Sequence, residues 1–434
     1  MQAPKNYAIF QQYSSLNANA TVIIIMLSSL ELFIKSKIRI IAMNRSGNMN
    51  CIGNVQTFLT GIQEKLTQQD FELVEKAVKV LQHNVSNSTD APWGDKRCLL
   101  PNAEKFQGIW NWDTAFHCVG LSRIDINFAM EHMETFCQFQ LENGMFPDVV
   151  YANGKIVDTF SKPPVMAWAC EIVYKRSGDK EFLSRMYEKL IKNVLFWENK
   201  RCFEGLFHYD ADLDKGKERK DWIGYETGWD NSVRWDFGIR KLWAIDLNCY
   251  MVMTYRSLEF IANELGDDNS DWNRKAKQLS DKINNKLWNE SVNCYTDRNY
   301  ETGELSNVLS PASFMPLYIH IAPQDAAIKC ETVAHDKFGF GMPTVSYDNP
   351  NYGTNYWRGP TWLNVAYFAA KGLKDYHFDS TADKIKNTIL GWIEKDGDKI
   401  HENYNSETGE GLCAEYFSWS AVFVMEFILN FNAS

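Results

Sequence analysis

Apolar residues along the body of the chain recur at helical spacing. Phe71, Val74, Val78 and Leu81 stand at i, i+3, i+7 and i+10, which puts them on one face of a helix. Ile126, Met130, Met133 and Cys137 repeat the spacing, as do Leu183, Met186, Leu190, Val194 and Trp197. Further stripes run through Leu247, Met251, Leu258 and Ile261, then Trp272, Ala276, Leu279, Ile283 and Leu287, then Ile385, Ile389, Trp392 and Ile393. Alternation of the kind a half-buried strand would show is rare and short. One class of these helices is amphipathic, with many Lys and Glu on the other face, and is expected to have one side in water.

A second class of segment is apolar nearly all round: Pro164 to Val173, Trp362 to Ala370 and Phe417 to Leu429. A helix without a polar face must be buried between other layers. Gly followed by Asp or Ser separates helices at Gly178–Asp179, Gly266–Asp267 and Gly372 to Asp379, read as a left-handed C-cap and then an N-cap. About ten to twelve helices, alternately solvated and buried, predict hairpins closed into a double ring; an open solenoid would show a stricter repeat. The expected fold is all-α, an (α/α)6 barrel of six helical hairpins. No Pro/Gly/Ser-rich linker divides residues 51–434, which are read as a single domain.

Residues 1–50 stand apart as an N-terminal extension. Val22 to Leu30 is apolar apart from Ser28 and Ser29, but Glu31, Lys35 and Lys37 break the run well short of the roughly 20 residues a membrane span needs. Lys5 is the sole basic residue upstream and no small-residue cleavage site follows, against a secretory leader. The stretch is read as a helix packing on the domain or as sequence upstream of a later start such as Met43 or Met49, with an anchor as the alternative. No stable membrane span is expected, and the compartment is read as cytoplasmic.

Composition narrows the function. The net charge of −10 and the lack of long Lys/Arg runs argue against a nucleic-acid partner. Ten scattered cysteines form no CxxC and no metal spacing with His, and read as small apolar residues in a reducing compartment. No phosphate-binding Gly-rich loop is present; no cofactor and no metal are expected. The excess is aromatic, 14% of the chain with 15 Trp and 19 Tyr. Rings fill cores, and they also stack on the apolar faces of sugars.

Four stretches between helices mix rings with carboxylates, amides or Arg. They are Gly108–His117 with Trp110, Trp112 and Asp113; Tyr225–Asp236 with Gly228-Trp229-Asp230-Asn231-Ser232; Asn355–Trp362 with Tyr356-Trp357-Arg358-Gly359-Pro360; and His401–Gly409 with Glu402-Asn403-Tyr404, followed by Phe417-Ser418-Trp419-Ser420. Loops of a double ring gather at one mouth, so these stretches are candidates for a sugar cleft. Glycoside hydrolysis needs two carboxyl groups, one a proton donor and one a base or nucleophile.

In this order the four segments resemble the clan of (α/α)6-barrel glycosidases that holds glycoside hydrolase family 63 and the family 37 trehalases. Within it the chain is most similar to the single-domain branch of mannosylglycerate and glucosylglycerate hydrolases, over about residues 54 to 432. The resemblance implies an inverting α-glycosidase with Asp230 as general acid and Glu402 as general base, about 6.5–9.5 Å apart to admit a water. Asp230 then needs a raised pKa, for which Trp229 and Trp235 are the nearest apolar residues in sequence, and Glu402 is expected in a more polar place. By the same matching Trp110, Trp112, Asp113, Trp229, Asn231, Tyr356, Trp357, Arg358, Tyr404 and Trp419 are candidate substrate-binding residues, with Lys162 of the pocket helix added to them. Arg358 is left with three roles: binding hydroxyls, orienting Glu402, or pairing with a structural acid. Asp113 is left between gripping the sugar and capping a helix at Thr114.

One position departs from the family. Where Gln often precedes the Pro-Pro of the pocket helix, this chain has Lys162-Pro163-Pro164. Gln donates and accepts; Lys only donates, and it adds charge. Either Lys162 points elsewhere or the glycone subsite differs. The expected partner is a small carbohydrate: an α-glucoside or α-mannoside, glycosylglycerate-like or a short α-gluco-oligosaccharide. The alternatives are a trehalase-type enzyme and a carbohydrate-binding toroid without turnover.

Overall fold

In the computed structural model the described residues are 51–86, 88–209, 220–237, 241–267 and 270–433. The readings made for residues 1–50 lie outside them. Residues Ile52–Ser434 gather as one unit, and among its described residues no helix is long and apolar enough to cross a membrane.

Twelve of its helices form the ring: α1 (Gln68–His83), α2 (Asn111–Ile124), α3 (Ile126–Cys137), α4 (Met166–Ser177), α5 (Lys180–Lys200), α6 (Ile245–Leu265), α7 (Trp272–Lys286), α8 (Met315–Tyr318), α9 (Gln324–Val333), α10 (Leu363–Asp375), α11 (Asp379–Lys395) and α12 (Ser418–Leu429). The even-numbered helices touch in sequence, α2 on α4, α4 on α6, α6 on α8, α8 on α10 and α10 on α12. Helix α12 returns to α2 and closes the circle. Helices α1, α3, α5, α7 and α11 pack against α12, α2, α4, α6 and α10. This is the (α/α)6 barrel.

The two helix classes sort by layer except at α6, whose Leu247–Ile261 stripe belongs to an inner helix with most of its residues buried. Every residue from Leu363 to Leu373 in α10 and from Ser418 to Phe427 in α12 is buried. In α7 burial is confined to Trp272, Ala276, Leu279, Ser280 and Ile283, the stripe expected of a helix with one face in water. Rings fill the barrel axis: Phe116 of α2, Phe368 of α10 and Phe423 of α12 lie within 5.0–6.3 Å of one another. The largest buried side chains include Trp197, Trp357 and Trp362.

Gly178 and Gly266 end α4 and α6 at φ 67° and 74°, the left-handed caps their sequence context predicts. Asp179 caps α5 through a bond from Phe182 N at 2.9 Å. Gly372 was expected to end its helix and does not, because α10 runs through it to Asp375. It serves close packing instead: a Cβ there would lie 2.6 Å from the backbone nitrogen of Tyr318 in α8.

The strands are short and serve the mouth of the barrel. Strands β1 (Gly108–Trp110), β2 (Val149–Tyr151) and β3 (Ile156–Val157) form an antiparallel sheet, with Trp110 opposite Val149. Strands β4 (Asn403–Tyr404) and β5 (Gly411–Leu412) form a hairpin, Asn403 opposite Leu412. Both carry chain into positions ahead of α2 and α12.

The segment holding Asp230 is anchored from behind by Arg234. Its guanidinium is fully buried and donates to Asp246 Oδ1 of α6 at 2.7 Å and to both oxygens of Asp297 at 2.8 and 3.0 Å. Asp297 Oδ1 also accepts from Ile245 N at the start of α6, at 2.9 Å. The cation lies over the rings of Trp229 and Trp235, 5.0 and 4.5 Å from their centroids. Removing one partner strands the others in low dielectric, which costs far more than the intact cluster contributes. Arg234→Leu is therefore expected to lose about 3–5 kcal/mol of stability, read from urea unfolding. A loss below about 1 kcal/mol, the level of an exposed pair, would contradict the anchor.

Candidate active site

The chain entering each inner helix arrives at the same end of the barrel, so the N-termini of α2, α4 and α12 face one mouth. Helix N-termini present unpaired N–H groups and a positive dipole end, a setting suited to carboxylates. A cavity of about 560 Å³ opens there. Its wall is aromatic: Trp110, Trp112, Tyr356, Trp357, Trp362 and Trp419. Trp357 and Trp362 stack at 3.9 Å and 11°, and Trp419 meets Trp112 edge-on at 4.9 Å. Gly228 permits this packing: at φ 74° it lies against Trp112, whose ring a Cβ would approach to 2.4 Å.

Four carboxyl groups line the cavity: Asp113, Asp148, Asp230 and Glu402. Asp113 stands in the first turn of α2, which begins at Asn111, so it does not cap a helix starting at Thr114. Burial pushes its carboxyl up to about 8, against a smaller opposing pull from Lys162. Asp230 is half-buried on the wall and is raised to about 6 by burial, again opposed by Lys162. Glu402 is 4% exposed. Its Oε1 accepts from the Tyr356 hydroxyl at 3.1 Å and its Oε2 from Ala414 N at 3.2 Å. Burial still dominates these two donors and lifts it to about 7. The expectation that Glu402 sits in a more polar place than Asp230 is thus corrected, because the β4–β5 hairpin folds it under Tyr356 and away from water. Tyr356 itself holds φ 58°, a conformation a bulky residue rarely adopts, and is pinned by a bond from Trp362 Nε1 to its carbonyl at 3.1 Å.

Lys162 also reaches the wall. Its ammonium is 3.3 Å from Asp148 Oδ1, donates to the carbonyl of Tyr225 and lies 5.6 Å over the Phe160 ring. A second cavity of about 490 Å³ shares Tyr225, Asp230 and Tyr356 with the first and continues past them along Asn231, Asn355 and Asn403.

Of the candidate residues, Trp110, Trp112, Asp113, Lys162, Asp230, Tyr356, Trp357, Glu402 and Trp419 line the main cavity. Four do not. Trp229 is buried behind the wall, 5.0 Å from the Trp357 ring, so neither it nor Trp235 forms the surface around Asp230. Asn231 lies in the second cavity and works as a strut, its Oδ1 accepting from Trp357 N at 2.9 Å. Arg358 takes the third of its possible roles, pairing with Asp236 at 2.6 Å. Tyr404 is fully buried; its hydroxyl donates to Asp396 at 3.1 Å and accepts from His401 N at 2.9 Å. Two other acids in or next to the motif segments are engaged elsewhere: Glu226 with Arg201 at 2.9 Å and Glu415 with Lys399 at 2.6 Å. Asp148 escaped the sequence reading. No motif marks it; the pairing of β2 with β1 is what carries it beside Asp113.

Known proteins resemble the chain over most of its length. The model of the mannosylglycerate hydrolase MGH1-like glycoside hydrolase domain matches residues 106–420. The chain belongs to that family. Mannosylglycerate hydrolase of Rubrobacter radiotolerans is 22% identical over 420 residues, 76% of this chain and 92% of the relative. Mannosylglycerate hydrolase of Thermus thermophilus is 25% identical over 431 residues, 81% of this chain and 99% of the relative. A crystal structure of the family 63 mannosylglycerate hydrolase from Thermus thermophilus, in complex with Tris and D-glycerate, superposes with a TM-score of 0.70 at 22% identity, over 81% of this chain and 99% of the other. The protein is a glycoside hydrolase. Among the described residues of the hydrolase, no group of three or more His, Cys, Asp or Glu is placed to hold a metal.

The raised carboxyl of Asp113 makes stability depend on pH. Below about 3.8 the group is neutral both folded and unfolded; between about 3.8 and 8 the unfolded chain releases the proton that the folded chain keeps. Its contribution is therefore intact in acid and lost as pH rises towards 8, with a slope of up to about 1.4 kcal/mol per unit. Asp113→Asn should remove that slope, raising the urea midpoint relative to wild type at pH 8 more than at pH 4. Equal midpoint differences at both values would rule it out.

Proposed function

We propose that this hydrolase is an inverting α-glycosidase acting on a small α-glucoside or α-mannoside, with a glycosylglycerate-like compound as the first candidate. The observation that carries the reading is the presence of Asp230 and Glu402 in one ring-walled cavity, each raised by burial, with the charge of Asp230 adding to the rise of Glu402. The names of the relatives support the glycosylglycerate; resemblance to the inverting clan supports the stereochemistry.

In this reading the glycone sits in the main cavity, with its apolar faces against Trp112 and Trp357 and its hydroxyls on Asp113. Asp230 protonates the glycosidic oxygen. The leaving group departs into the second cavity, which begins at Asp230 and Tyr356. Glu402, steered by the Tyr356 hydroxyl, takes a proton from the water that attacks the opposite face of the anomeric carbon. The productive state has one proton on Asp230 and none on Glu402. Burial raises Asp230 to about 6 and Glu402 to about 7, so the productive form is the less populated of the two singly protonated ones. The rate should follow a bell centred between those values, and a rate flat from pH 5 to 9 would contradict the pair.

Proton NMR of the protein mixed with mannosylglycerate, glucosylglycerate, trehalose, kojibiose, nigerose and maltose tests substrate and stereochemistry together. Early appearance of the β-anomer is expected; the α-anomer first would overturn inversion. Asp230→Asn and Glu402→Gln should each lose about 10²–10⁴-fold in kcat while the fold is kept. Near-wild-type turnover in either would remove that residue from its role.

A further inference from the structure

The acid cluster of the cavity contains one feature that neither hydrolysis nor sugar stacking explains. Lys162 is 7% exposed and Asp148 likewise 7%, so an ammonium and a carboxylate have been taken out of water side by side. A buried pair of this kind costs desolvation that its own attraction barely offsets. Its position gives it a use. Asp148 follows Pro147 immediately before β2; Lys162 precedes the Pro163-Pro164 turn into α4; the carbonyl it grips belongs to Tyr225, in the segment that leads to Asp230. One side chain thus joins three separate stretches of the mouth.

We propose that Lys162 is the positioning residue of the site: clamped by Asp148, it ties the entry to α4 to the backbone ahead of Asp230 and supplies the counter-charge for the acid cluster. The groups facing it are Asp148, Asp113 and Asp230, with the Tyr151 hydroxyl beyond Asp148. Glu402 faces Asp113 and Asp230 from the β4–β5 side, with Lys105 behind it and the Tyr356 hydroxyl on its Oε1. Of the cations along the main cavity, Lys155 and Lys162, it is Lys162 that acts on both Asp113 and Asp230. Its charge opposes the effect of burial on both. Without it, protons would be held more tightly by the carboxyls, and Asp230 would keep its proton to higher pH. Asp148 contributes the opposite sign, so the pair sets a net value that neither residue sets alone.

The test compares the full chain with K162M, K162R and the double variant K162M/D148N, which leaves no stranded charge if K162M fails to fold. The first readout is the pH profile of kcat/KM on whichever glycoside the wild type cleaves. The bell should move to higher pH in K162M, the acid limb moving most because it tracks Asp230, since loss of a nearby opposite charge raises a carboxyl by about one unit or more. It should return to the wild-type position in K162R, and move up by less in the double variant. The kinetic arm rests on the glycosidase reading. The second readout does not: the urea midpoint should fall more steeply with pH between 5 and 9 in K162M than in wild type. A bell that stays in place while kcat and KM change together, or an unchanged stability slope, would overturn the proposal and leave Lys162 a structural strut. A wild type that cleaves nothing, combined with a steeper slope in K162M, would sink the glycosidase reading and keep the counter-charge.

Discussion

Closure of the inner ring is the constraint on which everything else depends. Helices such as α10 and α12 have no polar face and cannot meet water on any side. Contact of α12 with α2 removes the free edges that an open row would leave. Once the ring is closed, the chain must enter every inner helix from one end. The segments that precede those helices are then forced into a common mouth, however far apart they lie in sequence. Residues at 112, 230, 357, 402 and 419 become neighbours for this reason.

The mouth is a low-dielectric place for acids, and that is the source of its chemistry. Aromatic walls and burial raise Asp113, Asp230 and Glu402 together. Such groups hold protons near neutral pH, where an unperturbed carboxyl would have lost them. Individual partners then set the order: two donors on Glu402, the Lys162–Asp148 pair beside Asp113 and Asp230. Behind this layer a second one holds the segments still. Arg234 clamps the Asp230 segment to α6, and Asn231 and Arg358 stitch it to the Tyr356–Trp357 segment. Several residues matched by motif belong to this supporting layer and not to the cavity surface, Tyr404 and Trp229 among them.

Much of the fold was legible. Helices with a single apolar stripe became the solvated layer and those apolar all round became the inner layer, with α6 the exception: its Leu247–Ile261 stripe belongs to an inner helix buried on most sides. Gly178 and Gly266 read correctly as caps. Gly372 did not, since a glycine needed for close approach to α8 looks the same in sequence as one needed for positive φ. The aromatic and carboxylate motifs marked the right loops. They did not separate wall from scaffold: a Trp one residue from an acid points to the opposite side when the backbone turns between them, as Trp229 and Asp230 show.

The amino-acid sequence by itself determined the helical period, the two classes of helix and the family to which the hydrolase belongs, because all three are local patterns along the chain. The tertiary structure alone decided which carboxyls share a cavity, that Asp148 is one of them, that Lys162 faces inward, and that Glu402 is more deeply buried than Asp230. Each of those depends on through-space distance and on exclusion of water, and neither quantity exists until segments a hundred or more residues apart have been brought together.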